Sequence, residues 1–142
     1  MTDRPKRSLR LRARRDPGPS SSWVWLSVLL GSAGVVHLVR PATFDGIVPE
    51  WLPGSARSYT YVSGVAELAL ALGLAIPQTR RLTGGSAALF FLAVFPANVK
   101  MALDTLAHPR ATTARKVAVI ARLPLQIPLV TAALKARGRR PA

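Results

Sequence analysis

The chain has 142 residues, with 20 Lys and Arg, six Asp and Glu, no Cys, and a formal net charge of +14. This length suits a single domain, and the lack of Cys excludes disulfides, thiolate catalysis, zinc fingers and iron–sulfur clusters. A charge this high first indicates nucleic-acid binding. However, the mean hydropathy is +0.25, and 11 of the 20 basic residues lie in the two tails, 1–22 and 135–142.

The first element is a polar, strongly basic tail. Residues 1–22 contain seven basic side chains and are rich in Pro and Ser, a composition that predicts a disordered cytoplasmic segment. We interpret it first as a signal that retains the N-terminus in the cytoplasm, and second as a segment attracted to anionic lipid head groups. We expect no nucleic-acid partner, because the tail has no aromatic side chain on which bases could stack.

Four apolar runs follow, each about as long as the ~20 residues that a membrane-spanning helix needs. A soluble bundle would need a charged stripe on every helix, yet each run contains a single charged or His residue. No A-x-A cleavage site follows the first run, so we expect a true span rather than a signal peptide. The sequence therefore predicts an all-α, polytopic four-helix transmembrane domain over 23–134, with spans 23–39, 59–76, 82–103 and 117–134.

Prolines interrupt two of these spans and crowd one connection. Pro96 in the third span and Pro124 and Pro128 in the fourth each remove a backbone hydrogen bond, so the sequence predicts that helices 3 and 4 are broken. The first loop, 40–58, contains three prolines and several apolar side chains, Trp51 among them. It fits either a folded cap on the outer mouth of the bundle or an ordinary loop with interfacial anchors.

The basic residues also predict the orientation in the membrane. The N-terminal tail, the link 77–81 and the basic tail 135–142 contain 13 Lys and Arg, whereas the first and third loops contain five. Because cytoplasmic segments are enriched in Lys and Arg, we expect both termini in the cytoplasm.

Ionisable and amide side chains inside spans are costly and mark candidate sites. With a rise of ~1.5 Å per residue, these side chains fall in the outer half of the spans or at the midplane, which predicts an outward-facing polar pocket. The candidate ligand-binding residues are His37, Glu67, Asn98, Arg122 and Gln126. We expect Glu67 and Arg122 to pair, either as part of this site or as a purely structural ion pair. Lys100 is expected to extend to the surface instead.

Motifs for catalysis and metal binding are lacking. The sequence shows no Gly-rich phosphate loop, no Ser-His-Asp order and no paired-carboxylate motif, and its two His residues do not favour a metal site. It therefore contains no motif from which an enzymatic activity of its own could be predicted, and whether the protein is an enzyme stays open.

Several motifs together resemble the DoxX family of small four-helix bacterial membrane proteins. They are AGVVHLVRPATFDGIVPEWLP, YVSGVAELALALGL, PQTRRLTGGSAALFFLAVFPANVKMAL and ARLPLQIPL. The resemblance covers roughly residues 33–130. It implies that the family's polar positions are His37, Pro41, Pro49, Glu67, Asn98, Arg122 and Gln126. The basic tail before Trp23 is not part of the family pattern.

The resemblance also implies a place in the bacterial cytoplasmic membrane and a link to redox chemistry. Some members of that family are linked to quinone-coupled thiosulfate oxidation and others to membrane redox complexes. The first hypothesis is an accessory subunit that binds a quinone-like ligand and associates with redox enzyme subunits, with no covalently bound cofactor. The alternative is a non-catalytic scaffold whose polar residues only fix the bundle and whose cap recruits a partner.

Overall fold

The computed structural model describes residues 21–137, and these residues contain six helices and no strand. The helices are α1 (Ser22–Val39), α2 (Ala42–Asp45), α3 (Ala56–Ala75), α4 (Arg80–Ala93), α5 (Phe95–Ala107) and α6 (Thr113–Ala136). The predictions made for residues 1–20 and 138–142 lie outside the described part of the chain.

Four helical segments are long and apolar enough to cross a membrane. They are α1, α3, the combined segment Arg80–Ala107 formed by α4 and α5, and α6. The predicted fold class is confirmed: the chain is an all-α, multi-pass membrane protein built as a four-helix bundle. Ser55 and Thr112 begin two of these spans, since their hydroxyls accept hydrogen bonds from the backbone N–H groups of Ser58 and Arg115.

The prolines act differently in the third and fourth spans. The third is broken at Val94, just before Pro96, where α4 ends and α5 begins. The predicted break in the fourth is wrong, because α6 continues through Pro124 and Pro128. The fixed φ of proline is compatible with a helix, and the lost hydrogen bonds can be replaced by neighbouring helices or local adjustment in a membrane protein.

The core lies in the half of the bundle where α1 begins, and it is built mostly from Leu and Ala. Leu26, Leu30 and Leu74 are at most 1% exposed, and they pack with alanines of α4 and α6 and with Phe91. Arg80 closes this end, with its guanidinium 4.0 Å from the centre of the Trp23 ring and its Nε donating to the carbonyl of Leu74.

The opposite end is covered by residues 40–55, which we call the cap. The cap contains α2 and packs on α3. Asp45 accepts hydrogen bonds from Thr60 and Arg57, both at 2.8 Å, and the hydroxyl of Tyr59 donates to the carbonyl of Pro53. The loop is therefore folded onto the bundle, and it forms the roof of the site described next.

Candidate functional site

A cavity of about 200 Å³ lies beneath the cap, between the cap and α1, α3, α5 and α6. Four of the five candidate residues, His37, Glu67, Asn98 and Arg122, line it. The fifth, Gln126, is buried behind them and contacts Asn98. The remaining lining residues are Phe44, Ile47, Val48, Pro49, Trp51, Leu52, Tyr59, Thr60, Ser63, Ala93, Val94, Pro96 and Ala97.

His37 and Glu67 meet because two glycines bring α1 and α3 together. A Cβ at Gly34 would lie 2.8 Å from the carbonyl oxygen of Gly64, so nothing larger than glycine fits there. Three residues further along each helix, on the same face, His37 Nδ1 lies 2.9 Å from Glu67 Oε2. The two side chains are only 14% and 10% exposed.

One oxygen of the Glu67 carboxylate, Oε2, is poorly supplied with hydrogen bonds in this arrangement. Nδ1 of His37 is also 2.9 Å from the carbonyl oxygen of Ala33. An imidazole nitrogen has at most one hydrogen, so Nδ1 cannot donate fully to both Ala33 and Glu67. Oε2 of Glu67 is consequently buried with no hydrogen-bond partner among the described residues. The His37 ring is itself held by stacking on Phe44, with ring centres 3.7 Å apart.

Asn98, Arg122 and Gln126 form a second polar group on α5 and α6. Nε of Arg122 donates to Oδ1 of Asn98 at 3.0 Å, and Nδ2 of Asn98 is 3.5 Å from Oε1 of Gln126. Gln126 also donates to the carbonyl of Phe91. That carbonyl lies in the last turn of α4, where helix carbonyls lack intrahelical partners, so Gln126 stabilises the broken third span.

The predicted Glu67–Arg122 pair is not found; each residue has another partner. Glu67 contacts His37, and Arg122 donates to Asn98. In the sequence, depth in the membrane is counted from the ends of the apolar runs, and this places His37 much nearer the surface than Glu67. The antiparallel helices do not end in one plane, because the first turns of α3 lie beside the cap. Arg122 and Asn98, in contrast, are each about 13 Å from the cap end of their helices.

The wall contributed by the cap and the start of α3 was missed by the sequence analysis. Thr60 and Ser63 place hydroxyls on the cavity wall, and Phe44 supplies an aromatic face. A usable signal was present: Thr60, Ser63 and Glu67 are spaced by three and four residues, so they share one helix face. This spacing alone is not specific for a site, because hydroxyl residues are common in apolar spans.

The ion pair between Asp45 and Arg57, which lies outside the cavity, fixes the position of the cap. Desolvation opposes ionisation of Asp45, but hydrogen bonds from Thr60 and Arg57 together with the charge of Arg57 hold the pKa of Asp45 below its ordinary value. Thr60 thus joins the cap to the cavity wall, because its side chain lines the cavity and also donates to Asp45.

Other polar residues at this end lie outside the cavity. Lys100, as expected, is not among its lining residues, and it pairs with Asp104 at 2.6 Å and donates to the carbonyl of Gly46. Trp51 is 73% exposed at the rim. Within residues 21–137, no group of three or more His, Cys, Asp or Glu side chains could hold a metal ion.

The chemistry of the cavity follows from these groups. Arg122 is a permanent cation with five N–H hydrogens, of which the structure commits the Nε hydrogen to Asn98. Glu67 is an acceptor when ionised. The cavity therefore offers hydrogen-bond donors from α6 and an acceptor from α3, in a lining that is otherwise mostly apolar.

Comparison with known proteins gives a family and no described activity. The model of a family described as "Domain of unknown function (DUF8561)" matches residues 26–137. This range contains all five candidate residues and the whole cap. No curated protein and no solved structure matches the chain.

Proposed function

The chain belongs to the DUF8561 family, and we propose that it binds a quinone-like ring in the cavity beneath the cap and serves as an accessory subunit of a membrane redox system. One observation carries the proposal. A single small cavity with mostly apolar walls collects His37, Glu67, Asn98 and Arg122, which are side chains that are costly to place in a membrane without a role.

The polar groups suit the two oxygens of such a ring. The guanidinium of Arg122 can donate to a carbonyl oxygen, and Asn98 and Gln126 hold it in place through their chain of contacts. On the opposite wall, His37 and Glu67 can exchange protons with a ring oxygen. Phe44, Val48 and Leu52 supply apolar contacts for the ring itself.

The size of the cavity supports a single ring rather than a large molecule. Sites for drug-sized ligands usually measure about 300–1,000 Å³, whereas this cavity measures about 200 Å³. A ring with two oxygens fits this volume, and a hydrophobic tail would extend past the rim at Trp51 into the lipid.

An accessory role is proposed because the chain supplies no redox centre of its own. It has no Cys, so electrons would come from a partner subunit. The motifs that resemble those of the DoxX family support a partner of this type and a place in the bacterial cytoplasmic membrane. The distribution of Lys and Arg supports cytoplasmic termini, which would put the cap and the cavity on the outer side.

The proposal is tested by ligand-dependent melting of the purified protein. A ligand at about one hundred times its Kd stabilises a protein by about 2.7 kcal/mol, so soluble quinone analogues should raise the Tm of the wild type. Arg122→Gln should lose most of this shift. Arg110→Gln is the matched control, since Arg110 is exposed in a loop at the same end and does not line the cavity.

The alternative is a scaffold in which the polar residues only hold the bundle together. The exposed ring of Trp51 favours it, because a large apolar side chain on the cap is available to a partner. Ile47 is partly buried and lines the cavity, so it contributes less to such a surface. No shift with any analogue, together with normal partner capture by Arg122→Gln, would support the scaffold and contradict ligand binding.

A further inference from the structure

The Glu67 carboxylate faces the cavity in need of a hydrogen-bond donor. It lines the cavity, its side chain is nine-tenths buried, and Oε2 has no hydrogen-bond partner among the described residues. Nδ1 of His37 is 2.9 Å from both Glu67 and the carbonyl oxygen of Ala33, and its one hydrogen is shared between these two acceptors. A buried polar group left without a partner is costly, so the site is complete only when something else donates to this carboxylate.

The apolar lining of the cavity favours an organic donor over water alone. Water could be held by Glu67 together with polar neighbours such as Ser63, but it would leave without a partner the apolar and aromatic side chains that form most of the lining, Phe44, Val48 and Leu52 among them. A ring that bears a hydroxyl satisfies both walls. Its face contacts the apolar side chains and its O–H donates to Glu67. Oε2 is buried against His37, so the O–H of the ring donates to the carboxylate through its other oxygen, Oε1.

We propose that the cavity selects a hydroxyl-bearing aromatic ring, the reduced member of a quinone–hydroquinone pair, with one hydroxyl donating to Glu67. The inference rests on the proposed function for the quinone class and adds the redox state. A hydroquinone has O–H groups to donate to Glu67 and oxygens to accept from Arg122. A quinone of the same shape offers acceptors only, so it donates no hydrogen bond to the carboxylate.

The experiment compares two ligand pairs on purified full-length protein in lipid nanodiscs. The first pair is one short-chain quinone, kept oxidised or kept as its hydroquinone. The second pair is redox-inert: a substituted phenol and its methyl ether, in which a methyl group replaces the hydroxyl hydrogen. A hydrogen bond to a charged group is worth enough to change affinity about tenfold or more. We expect the hydroquinone and the phenol each to bind at least tenfold more tightly than their partners.

A carboxylate variant and its matched control assign the preference to one side chain. Glu67→Gln keeps the shape but replaces the charged acceptor with an amide that can also donate to a quinone or ether oxygen, so both ratios should fall markedly toward one. Glu50→Gln makes the same chemical change on an exposed cap residue that does not line the cavity, and it should leave both ratios unchanged. The wild-type comparison needs no variant, so it holds even if Glu67→Gln fails to fold.

The outcomes separate this inference from the function on which it rests. Equal binding within both pairs, tighter binding of the quinone and the ether, or a preference that is undiminished in Glu67→Gln overturns the inference while leaving a quinone site intact. A phenol preference without binding of either quinone form supports the carboxylate's role and contradicts the quinone. Absence of binding by all four compounds overturns both.

Discussion

Nδ1 of His37 lies 2.9 Å from Oε2 of Glu67, and this contact joins the two helices that pack most extensively against each other. The contact depends on Gly34 and Gly64, which lie three residues earlier on their helices and let the backbones touch. Both helices thus have a Gly and, three residues later, an ionisable side chain. The glycines allow the close helix contact, and the ionisable side chains form the polar pair. The same pair forms one wall of the cavity.

The coupling of Glu67 with His37 rather than with Arg122 is directly measurable. With His37 protonated, the contact is a buried ion pair, and removing one partner of such a pair costs ~3–5 kcal/mol, since the other charge is left uncompensated. Thermal unfolding in detergent of His37→Leu, Glu67→Gln and the double variant should show a double loss clearly smaller than the sum. Glu67→Gln combined with Arg122→Gln should be additive within about 0.5 kcal/mol. The reverse pattern would restore the pairing expected from sequence.

That pairing shows where the sequence stops being informative. Length and composition sufficed for four spans, and the cost of polar groups in lipid was enough to select His37, Glu67, Asn98, Arg122 and Gln126, which all lie at or directly behind one cavity. Which of these residues contact each other could not be predicted, because the contacts depend on how far each helix extends past its neighbour. The lengths of the apolar runs do not give this offset between helices, and the folded cap beside α3 creates it.

The prolines likewise show that a local sequence rule does not decide where a helix ends. Pro96 coincides with a break, whereas Pro124 and Pro128 lie within a continuous helix. The ring removes a hydrogen bond in all three cases, so whether the helix ends is decided by tertiary contacts. One such contact, from Gln126 to the carbonyl of Phe91, is visible only in the folded structure.

Substitution of two glycines in α1 should have opposite effects. Gly34→Ala places a Cβ 2.8 Å from the carbonyl of Gly64, and such overpacking costs ~1–3 kcal/mol. Gly31→Ala is the control, because its nearest neighbour lies at 3.6 Å and alanine favours a helix by ~0.5–1 kcal/mol over glycine. Melting curves should show Gly34→Ala lower and Gly31→Ala equal to or higher than the wild type. Equal losses would contradict the close approach of α1 and α3.

Attachment of the cap should depend on pH through Asp45. Desolvation opposes it, but the contacts with Thr60 and Arg57 lower the pKa of Asp45. A lowered carboxyl pKa stabilises the folded cap fully above its ordinary pKa of about 3.9, and this stabilisation is lost as the pH falls through the lowered value.

The fluorescence of Trp51, with Trp23 and Trp25 replaced by Phe, can report this transition. The spectrum should stay constant above about pH 5 and change as Asp45 becomes protonated below pH 4. Asp45→Asn should show the altered spectrum at neutral pH, and Glu50→Gln should behave as the wild type. A cap spectrum that Asp45→Asn leaves unchanged would show that this contact does not hold the cap.

Reporter fusions can test the predicted orientation of the chain in the membrane. Because the basic residues concentrate in the tails and in the link between α3 and α4, fusions at Pro19 and Gly138 should report the cytoplasm and a fusion at Gly46 the outer side. A cytoplasmic signal at Gly46 would invert the arrangement and place the cavity on the inner face.

The central claim is that a quinone-like ring occupies the cavity beneath the cap, and photo-crosslinking tests it most directly. A short-chain azidoquinone, irradiated with the protein in nanodiscs and mapped by mass spectrometry, should label cavity-lining residues such as Phe44, Val48 and Ala97. Excess unlabelled hydroquinone should suppress that labelling. Labelling confined to lipid-facing positions such as Leu72 and Leu89, which are 67% and 68% exposed, and insensitive to competitor, would contradict the claim.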